Sequence, residues 1–391
     1  MTLICTQLCT TADAVESIPL HLDNGGYAVK KEGRLIVSHN PHKQFVPASI
    51  IKIATSLAAL HILGPQYRFE TRFYIDTEQN MYIRGFGDPY LVSEEVNNIV
   101  RELKKTGCDR INNIYLDDTW LEVSGSVDGA GLSDNPYDAQ NSALAVNFNT
   151  VNIKKDSAGK IYSAEEQTPV LSLMAELAEN VKPGVHRINI SQDRMEGKAI
   201  ISRYVGELFR AFQRRENIPG DGVIVRRKTP ENMSIFYSHR SSKTLEDMIA
   251  PFMLYSNNFM ANQLFLAIGA EQYGYPATWE KSRSAVSGIL QREYDIAADS
   301  IRIVEGSGLS RNNRVTPDTM IRLLDHFKPY GVLLPEDGTR FVKSGTLKGV
   351  YSYGGYFRQG EKLDSFVLIL NQESNVRDKL LLQLEQIYRE N

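Results

Sequence analysis

Apolar and polar positions change period along this chain, and each change marks an element. The stretch GYAVKKEGRLIVS, 26 to 38, holds two short strand-like runs around Lys31-Glu32-Gly33, a hairpin. FVPASIIKIATSLAAL, 45 to 60, then switches to a helical period, with Ile50, Ile53, Ala54, Leu57 and Ala58 on one face of a helix that starts near Ser49. The far end mirrors this. RFVKSGTLKGV and YSYGGYFRQGEKLDSFVLILNQ read as three antiparallel strands with turns at Gly349 and Gln359-Gly360-Glu361, followed by a last helix over Arg377 to Arg389. Both ends therefore predict one α+β unit, an antiparallel sheet shared by the termini and flanked by helices. Residues from about 69 to 232 carry their own strands and helices, punctuated by Gly, Asp and Pro, and read as a large α/β insertion. The predicted division is a first unit from 15–68 with 233–391 and an inserted one at 69–232, with no internal repeat or low-complexity tract.

Composition narrows the function classes. A chain of 391 residues that is 42% hydrophobic and 23% charged is globular in type and long enough for two or three domains. A net charge of −3, a pI near 6.2 and no basic run interleaved with aromatics argue against nucleic acid as a partner. No stretch approaches the ~20 apolar residues of a membrane span. The opening MTLICTQLCTTADAVES reads either as the tail of a secretion signal, with Ala12-Asp13-Ala14 as an A-x-A cleavage pattern and residues 1–14 as the truncated signal, or as an ordinary N-terminal stretch. The first reading predicts a periplasmic or otherwise extracytoplasmic protein. Cys5 and Cys9 would leave with that segment, and Cys108 alone offers neither a disulfide framework nor a cysteine metal site. His39 and His42, split by Asn40-Pro41, have no acidic or cysteine partner nearby, so no metal and no cofactor is expected.

The candidate chemistry is at Ser49 and Lys52. Positions i and i+3 share a helix face, so the hydroxyl and the amine can meet. An amine in the first helical turn is disfavoured as an ammonium by the helix dipole and by burial, and a neutral lysine can take a serine proton. Free backbone N–H groups at the same helix start can face an oxyanion. The competing reading is an N-cap serine beside a solvated lysine. Ser-x-x-Lys alone does not decide, because Ser157-Ala158-Gly159-Lys160 spells it too, in the polar turn KKDSAGK.

Ser-x-x-Lys is joined in β-lactamases and penicillin-binding proteins by Ser-Asp-Asn and Lys-Thr-Gly. Both occur literally here and in the wrong settings: Lys105-Thr106-Gly107 closes a helical pattern, and Ser133-Asp134-Asn135 lies in a Pro- and Gly-containing loop. Looser matches have better surroundings. Lys343-Ser344-Gly345-Thr346 follows a strand-like run, and Ser256-Asn257-Asn258 connects the helical patterns LEDMIAPFMLY and FMANQLFLAIG. Ser38-His39-Asn40 and Ser310-Arg311-Asn312 also spell Ser-x-Asn.

In that order of motifs the chain resembles the D-alanyl-D-alanine carboxypeptidases/endopeptidases of the low-molecular-mass penicillin-binding proteins, the type with domains inserted after the nucleophile helix. EGSGLSRNNRVTP at 305 to 317, with Glu305 where the family has aspartate, GFGDPYL at 85 to 91 and SALAVNFN at 142 to 149 are similar to longer family segments. The resemblance implies a β-lactamase/DD-peptidase-like fold. It implies Ser49 as nucleophile, Lys52 as base, Ser256 as proton relay with Lys343, and Asn258 holding the substrate amide. It further implies Ser344, Gly345 and Thr346 as the carboxylate-binding strand, Tyr137 at the rim, and the N–H groups of Ser49 and Thr346 as the oxyanion hole. Ser307 and Arg311 either line the cleft or shape a Gly-rich turn. Peptidoglycan stem peptides are then the substrate and β-lactams covalent inhibitors. Three alternatives stay open: a β-lactamase or esterase, Tyr255 in place of Ser256 through Tyr255-Ser256-Asn257, and a wall-binding protein that acylates without turnover. Attachment to a membrane through the last helix is disfavoured by its balanced charges.

Overall fold

The computed structural model describes residues 22–123, 127–131, 133–191 and 197–391; the segment 1–14, with Cys5 and Cys9, lies outside the described residues. Both ends of the chain meet in one six-stranded sheet, whose order is Glu336–Asp337, Arg340–Leu347, Val350–Gln359, Lys362–Leu370, Gly25–Lys31 and Arg34–His39. Every pairing in it is antiparallel, and the first strand of the chain lies along the last, with Gly25 opposite Leu370 and Val29 opposite Phe366.

Side chains alternate across this sheet, and each face buries a different set. Tyr27, Val29, Phe366, Leu368 and Leu370 pack with Leu380, Leu384 and Tyr388 of the last helix, Arg377–Glu390. Ala28, Val367, Ile369 and Tyr356 face the other way, into the main core formed with the helices Lys52–Ile62, Leu245–Leu254, Asn258–Tyr273, Trp279–Tyr294 and Pro317–Phe327. The helix carrying Lys52 is buried nearly all round. Such a helix cannot be placed by amphipathic pattern, only by what surrounds it.

The middle of the chain has a second apolar core and two sheets. One has five strands in the order Tyr237–Arg240, Glu70–Ile75, Met81–Gly85, Ile114–Asp117 and Ile224–Arg226; its first two pairings are antiparallel and its last two parallel. Its outer strand Tyr237–Arg240 lies past residue 232. The other sheet has three strands, with Thr150–Lys155 between Ile161–Ser163 and Gly184–Asn189. The helices Ser93–Lys105 and Gly197–Arg215 contribute Val96, Ile99, Leu103, Val205, Leu208 and Phe212 to the shared core.

Candidate active site

Ser49 does not sit on an α-helix, contrary to the sequence pattern. Residues Ala48–Ile51 form a 3-10 turn, and the α-helix runs Lys52–Ile62. Three residues per turn stack Ser49 directly over Lys52, closer than the i,i+3 offset of an α-helix would. The N-cap is Pro47, with no side-chain cap bond, so the N-cap role expected under the competing reading is absent. The lead-in is fastened to the sheet: Asn371 accepts from Val46 N at 2.8 Å and donates to Val46 O at 3.1 Å, and Ser352 Oγ donates to Pro47 O at 2.6 Å. Ala48 is held at φ +51°, a left-handed conformation costly for a residue with a side chain. Gly308 crosses so close that a Cβ there would lie 2.0 Å from Ala48 O.

Lys52 is 0% exposed, and its Nζ has three partners: Ser49 Oγ at 3.0 Å, Asn258 Oδ1 at 2.8 Å and Ser307 O at 2.6 Å. Asn258 is oriented by its own amide, which donates to Tyr137 O at 3.4 Å. An amide oxygen and a backbone carbonyl only accept, so both require hydrogens from Nζ. Burial, reinforced by the charge of Lys343 and opposed by that of Glu305, holds the amine well below its usual 10.5. A neutral amine has two hydrogens and one lone pair; the hydrogens go to the two acceptors, and the lone pair faces the one partner with a proton to give, Ser49. Glu305 is buried two residues before Ser307, but its carboxylate is occupied by Ser307 N at 2.8 Å, Gly308 N at 2.7 Å and Asn313 Nδ2 at 2.8 Å. It folds its loop so that the Ser307 carbonyl points at Lys52.

Ser256 is at φ +51° between the helices Leu245–Leu254 and Asn258–Tyr273. Asn257 is used up as the second helix's cap, accepting from Met260 N at 3.1 Å, which leaves Asn258 to reach inward. Along the strand Arg340–Leu347, Lys343 and Gly345 are buried while Ser344 and Thr346 are exposed, the period of two expected of a strand. A Cβ on Gly345 would lie 2.8 Å from Ser49 N, so only glycine lets the strand pass that close. Lys343 Nζ donates to Ser344 O at 2.8 Å, and burial with the charge of Arg377 pushes it down to about 8.

A cleft of about 410 Å³ gathers Ser49, Tyr137, Ser256, Asn258, Ser344 and Thr346, with Asn135, Asp138, Gly308, Leu309 and Leu347 completing its lining. The predicted residues therefore converge, with two qualifications. Lys52 and Lys343 lie behind the surface of the cleft, and Lys343 acts on Lys52 through charge and not through contact. Tyr255 is 72% exposed and lines a smaller adjacent hollow with Phe148 and Arg187, whereas Ser256 lines the cleft itself. Of the literal motif matches, Lys105-Thr106-Gly107 ends the helix Ser93–Lys105 with Gly107 at φ +95°, and Ser157–Lys160 is an exposed turn between two strands. Ser133-Asp134-Asn135 is a loop as expected, yet Asn135 reaches the cleft rim, capping the turn Pro136–Asp138 that presents Tyr137. Arg311 donates to Lys348 O and is exposed, outside the cleft lining. One neighbour had no signal in the pattern: Arg377 donates from Nη1 to Thr346 Oγ1 at 2.8 Å and to Gly345 O at 2.9 Å.

A serine turn wedged under an antiparallel sheet, with a buried lysine amine in contact with the serine, is the arrangement of a serine-type peptidase of the DD-peptidase fold. Residues 12–180 and 198–331 match the D-Ala-D-Ala carboxypeptidase 3 (S13) family, and the chain belongs to that family. Serine-type D-Ala-D-Ala carboxypeptidase is accordingly its enzyme class. It is 26% identical to the D-alanyl-D-alanine carboxypeptidase DacB of Haemophilus influenzae, covering 97% of this chain and 93% of that one, and 25% identical to the D-alanyl-D-alanine carboxypeptidase of Actinomadura sp. strain R39, covering 90% and 79%. Among solved structures it is similar to penicillin binding protein 4 of Haemophilus influenzae, with a TM-score of 0.72 at 24% identity over 90% of this chain and 91% of that one. No helix among the described residues is long and apolar enough to cross a membrane.

Proposed function

We propose that Ser49 is the nucleophile of a D-Ala-D-Ala carboxypeptidase or endopeptidase acting on peptidoglycan stem peptides through an acyl-enzyme. The observation that carries this reading is the buried Lys52 amine, whose one partner among the described residues able to give a proton is Ser49, 3.0 Å away. Lys52 takes the Ser49 proton as Oγ attacks the carbonyl carbon of the penultimate D-Ala. The oxyanion is met by the N–H groups of Ser49 and Thr346, a role that the close passage of Gly345 beside Ser49 N supports. Asn258 holds both the Lys52 amine and the substrate amide. Ser256, on the cleft wall, passes the proton to the leaving amine as the C–N bond breaks, helped by the charge of Lys343. Ser344 and Thr346 hydroxyls bind the terminal carboxylate. Water then attacks the ester, Lys52 again takes a proton, and Ser49 is regenerated.

β-Lactams are covalent inhibitors in this reading. Support comes from the penicillin binding protein 4 of Haemophilus influenzae, a relative in fold solved in complex with a β-lactam. An extracytoplasmic location is consistent with such a substrate. In this reading 15–68 with 233–391 make the peptidase unit, apart from the strand Tyr237–Arg240, which joins the sheet of the accessory unit 69–232; that unit supplies Asn135 and Tyr137 to the rim.

The test is covalent labelling by a fluorescent penicillin, wild type beside Ser49→Ala, followed by intact mass over time and paired with D-Ala release from a stem peptide. Labelling of wild type alone, with D-Ala release, is expected. A folded wild type that neither labels nor releases D-Ala would overturn the reading; a rapidly vanishing adduct would indicate β-lactamase turnover instead.

A further inference from the structure

The strand that carries Ser344 and Thr346 is held from outside the cleft by the first residue of the last helix. Arg377 is 17% exposed at its side chain, and its guanidinium lies 4.6 Å over the Tyr353 ring, on the neighbouring strand where Tyr353 pairs with Ser344. Nη1 carries two hydrogens, and both are in use, one on Gly345 O at 2.9 Å and one on Thr346 Oγ1 at 2.8 Å. The second bond fixes a direction. A guanidinium cannot accept, so the Thr346 hydroxyl must receive from Arg377, and its own single hydrogen is left for another acceptor. Thr346 lines the cleft, so that hydrogen is available to a group bound there.

Charge points the same way. The acidic group facing Arg377 is Asp378, 3.8 Å from Nε, which is 76% exposed and accepts from Tyr353 Oη at 2.7 Å. A carboxylate so exposed is screened by water and leaves most of the guanidinium's potential directed at the strand. On the other side is Lys343, whose amine that potential helps to depress. The end of the cleft at Thr346 thus combines an oriented O–H donor with two fixed cations behind it.

We propose that Arg377 is a positioning residue that makes this end of the cleft selective for a free C-terminal carboxylate, acting through the Thr346 hydroxyl. The proposal rests on the reading of Ser49 as nucleophile and of Ser344 and Thr346 as the strand that holds the leaving residue. Arg377 does not touch the substrate. It polarises and aims the hydroxyl that does, and its bond to Gly345 O keeps the strand pressed against Ser49. A lysine would keep the charge but lose the planar fork and the stacking on Tyr353.

The experiment compares an acylated Lys-D-Ala-D-Ala peptide having a free C-terminal carboxylate with the same peptide as its C-terminal amide, in wild type, Arg377→Met and Arg377→Lys, with kcat and KM measured separately. Wild type should prefer the carboxylate. In Arg377→Met the KM for the carboxylate peptide should rise about tenfold, the size of one charge-assisted hydrogen bond, with kcat nearly kept, and the carboxylate-to-amide ratio should fall by the same factor. Arg377→Lys should recover part of it. A thermal melt accompanies each variant, and Arg377→Gln carries the same comparison if the methionine variant melts early. Loss of both peptides by one common factor, a loss confined to kcat, or an unaltered ratio would overturn the proposal. A folded wild type that labels with penicillin but shows no preference overturns this proposal alone, whereas one that neither labels nor cleaves overturns the Ser49 reading and this with it.

Discussion

Among the buried cations of the described residues, Arg210 and Lys52 are held in opposite ways. Arg210, in the middle region, gives hydrogens to Ile111 O at 3.0 Å, Gly220 O at 3.1 Å, Gly222 O at 3.2 Å, Gln213 Oε1 at 2.7 Å and Asn112 O. All five are acceptors, and four are backbone carbonyls of the turns that lead into the parallel strands Ile114–Asp117 and Ile224–Arg226. The guanidinium is a staple for two loops. Lys52 is buried as deeply, but one of its three partners is a hydroxyl that can give its proton back. Burial and a depressed pKa are common to both. What separates a structural cation from a chemical one is whether any partner can donate, a criterion more discriminating than the pKa shift itself.

The largest effect expected from this contrast is at Lys52. Lys52→Met should slow penicillin acylation by roughly 10³-fold, within the span of one lost general base. Its melting temperature should fall less than that of Arg210→Met, because Asn258 Oδ1 and Ser307 O lose their donor while the cost of burying an amine is removed. Arg210→Met should do the reverse. Removing the staple orphans buried carbonyls and should destabilise the fold by about 3 kcal/mol, read as a lower denaturant midpoint, while acylation per folded molecule stays at the wild-type rate. Loss of stability in Lys52→Met equal to that in Arg210→Met, or slow acylation in folded Arg210→Met, would break the distinction.

The fold at the two ends was legible because strands and turns there follow simple rules. The period-two runs at 26–38 and 350–370 and the glycine turns mark the hairpins, and strands from both of these regions share one sheet. The motifs were legible through order and setting, with the helix connector at 256–258 and the strand at 343–346 where the patterns put them. Local geometry was not. A 3-10 turn at Ser49 depends on Ala48 adopting a positive φ against Gly308, a residue 260 positions away in sequence. Tyr255-Ser256-Asn257-Asn258 spells two possible relays, and only the left-handed backbone at Ser256 turns its side chain to the cleft and leaves Tyr255 in solvent. In the sequence Arg377 is one charge among several on a balanced helix; its bond to Thr346, on the strand Arg340–Leu347, follows no spacing rule. In the middle region the change from antiparallel to parallel pairing, and the separate three-stranded sheet, depend on long-range pairing that a pattern of short apolar runs does not specify.

The smallest effect is a slope, and it sets a third buried cation, Lys343, beside Arg210 by stability alone. Lys343 is depressed from 10.5 to about 8 in the folded chain, by burial first and Arg377 second. Below about 8 it is charged in both states, and the native state bears the full cost of that burial. Above 10.5 it is neutral in both. In between the unfolded chain binds more protons, so this group makes stability rise with pH, by at most about 1.4 kcal/mol per pH unit. Cys108, pushed up to about 11, and Tyr275, pushed up to about 12, act with the opposite sign, because the unfolded chain loses their protons first. Subtracting the denaturant stability of Lys343→Met from that of wild type cancels those groups. The difference should climb in favour of wild type between about pH 8 and 10.5, where the lysine is neutral in the folded chain and charged in the unfolded one. Arg210 keeps its proton throughout this range, so Arg210→Met should run parallel to wild type, lower at every pH by a constant amount. A flat difference for Lys343→Met would mean that the second lysine is charged and solvated like any other.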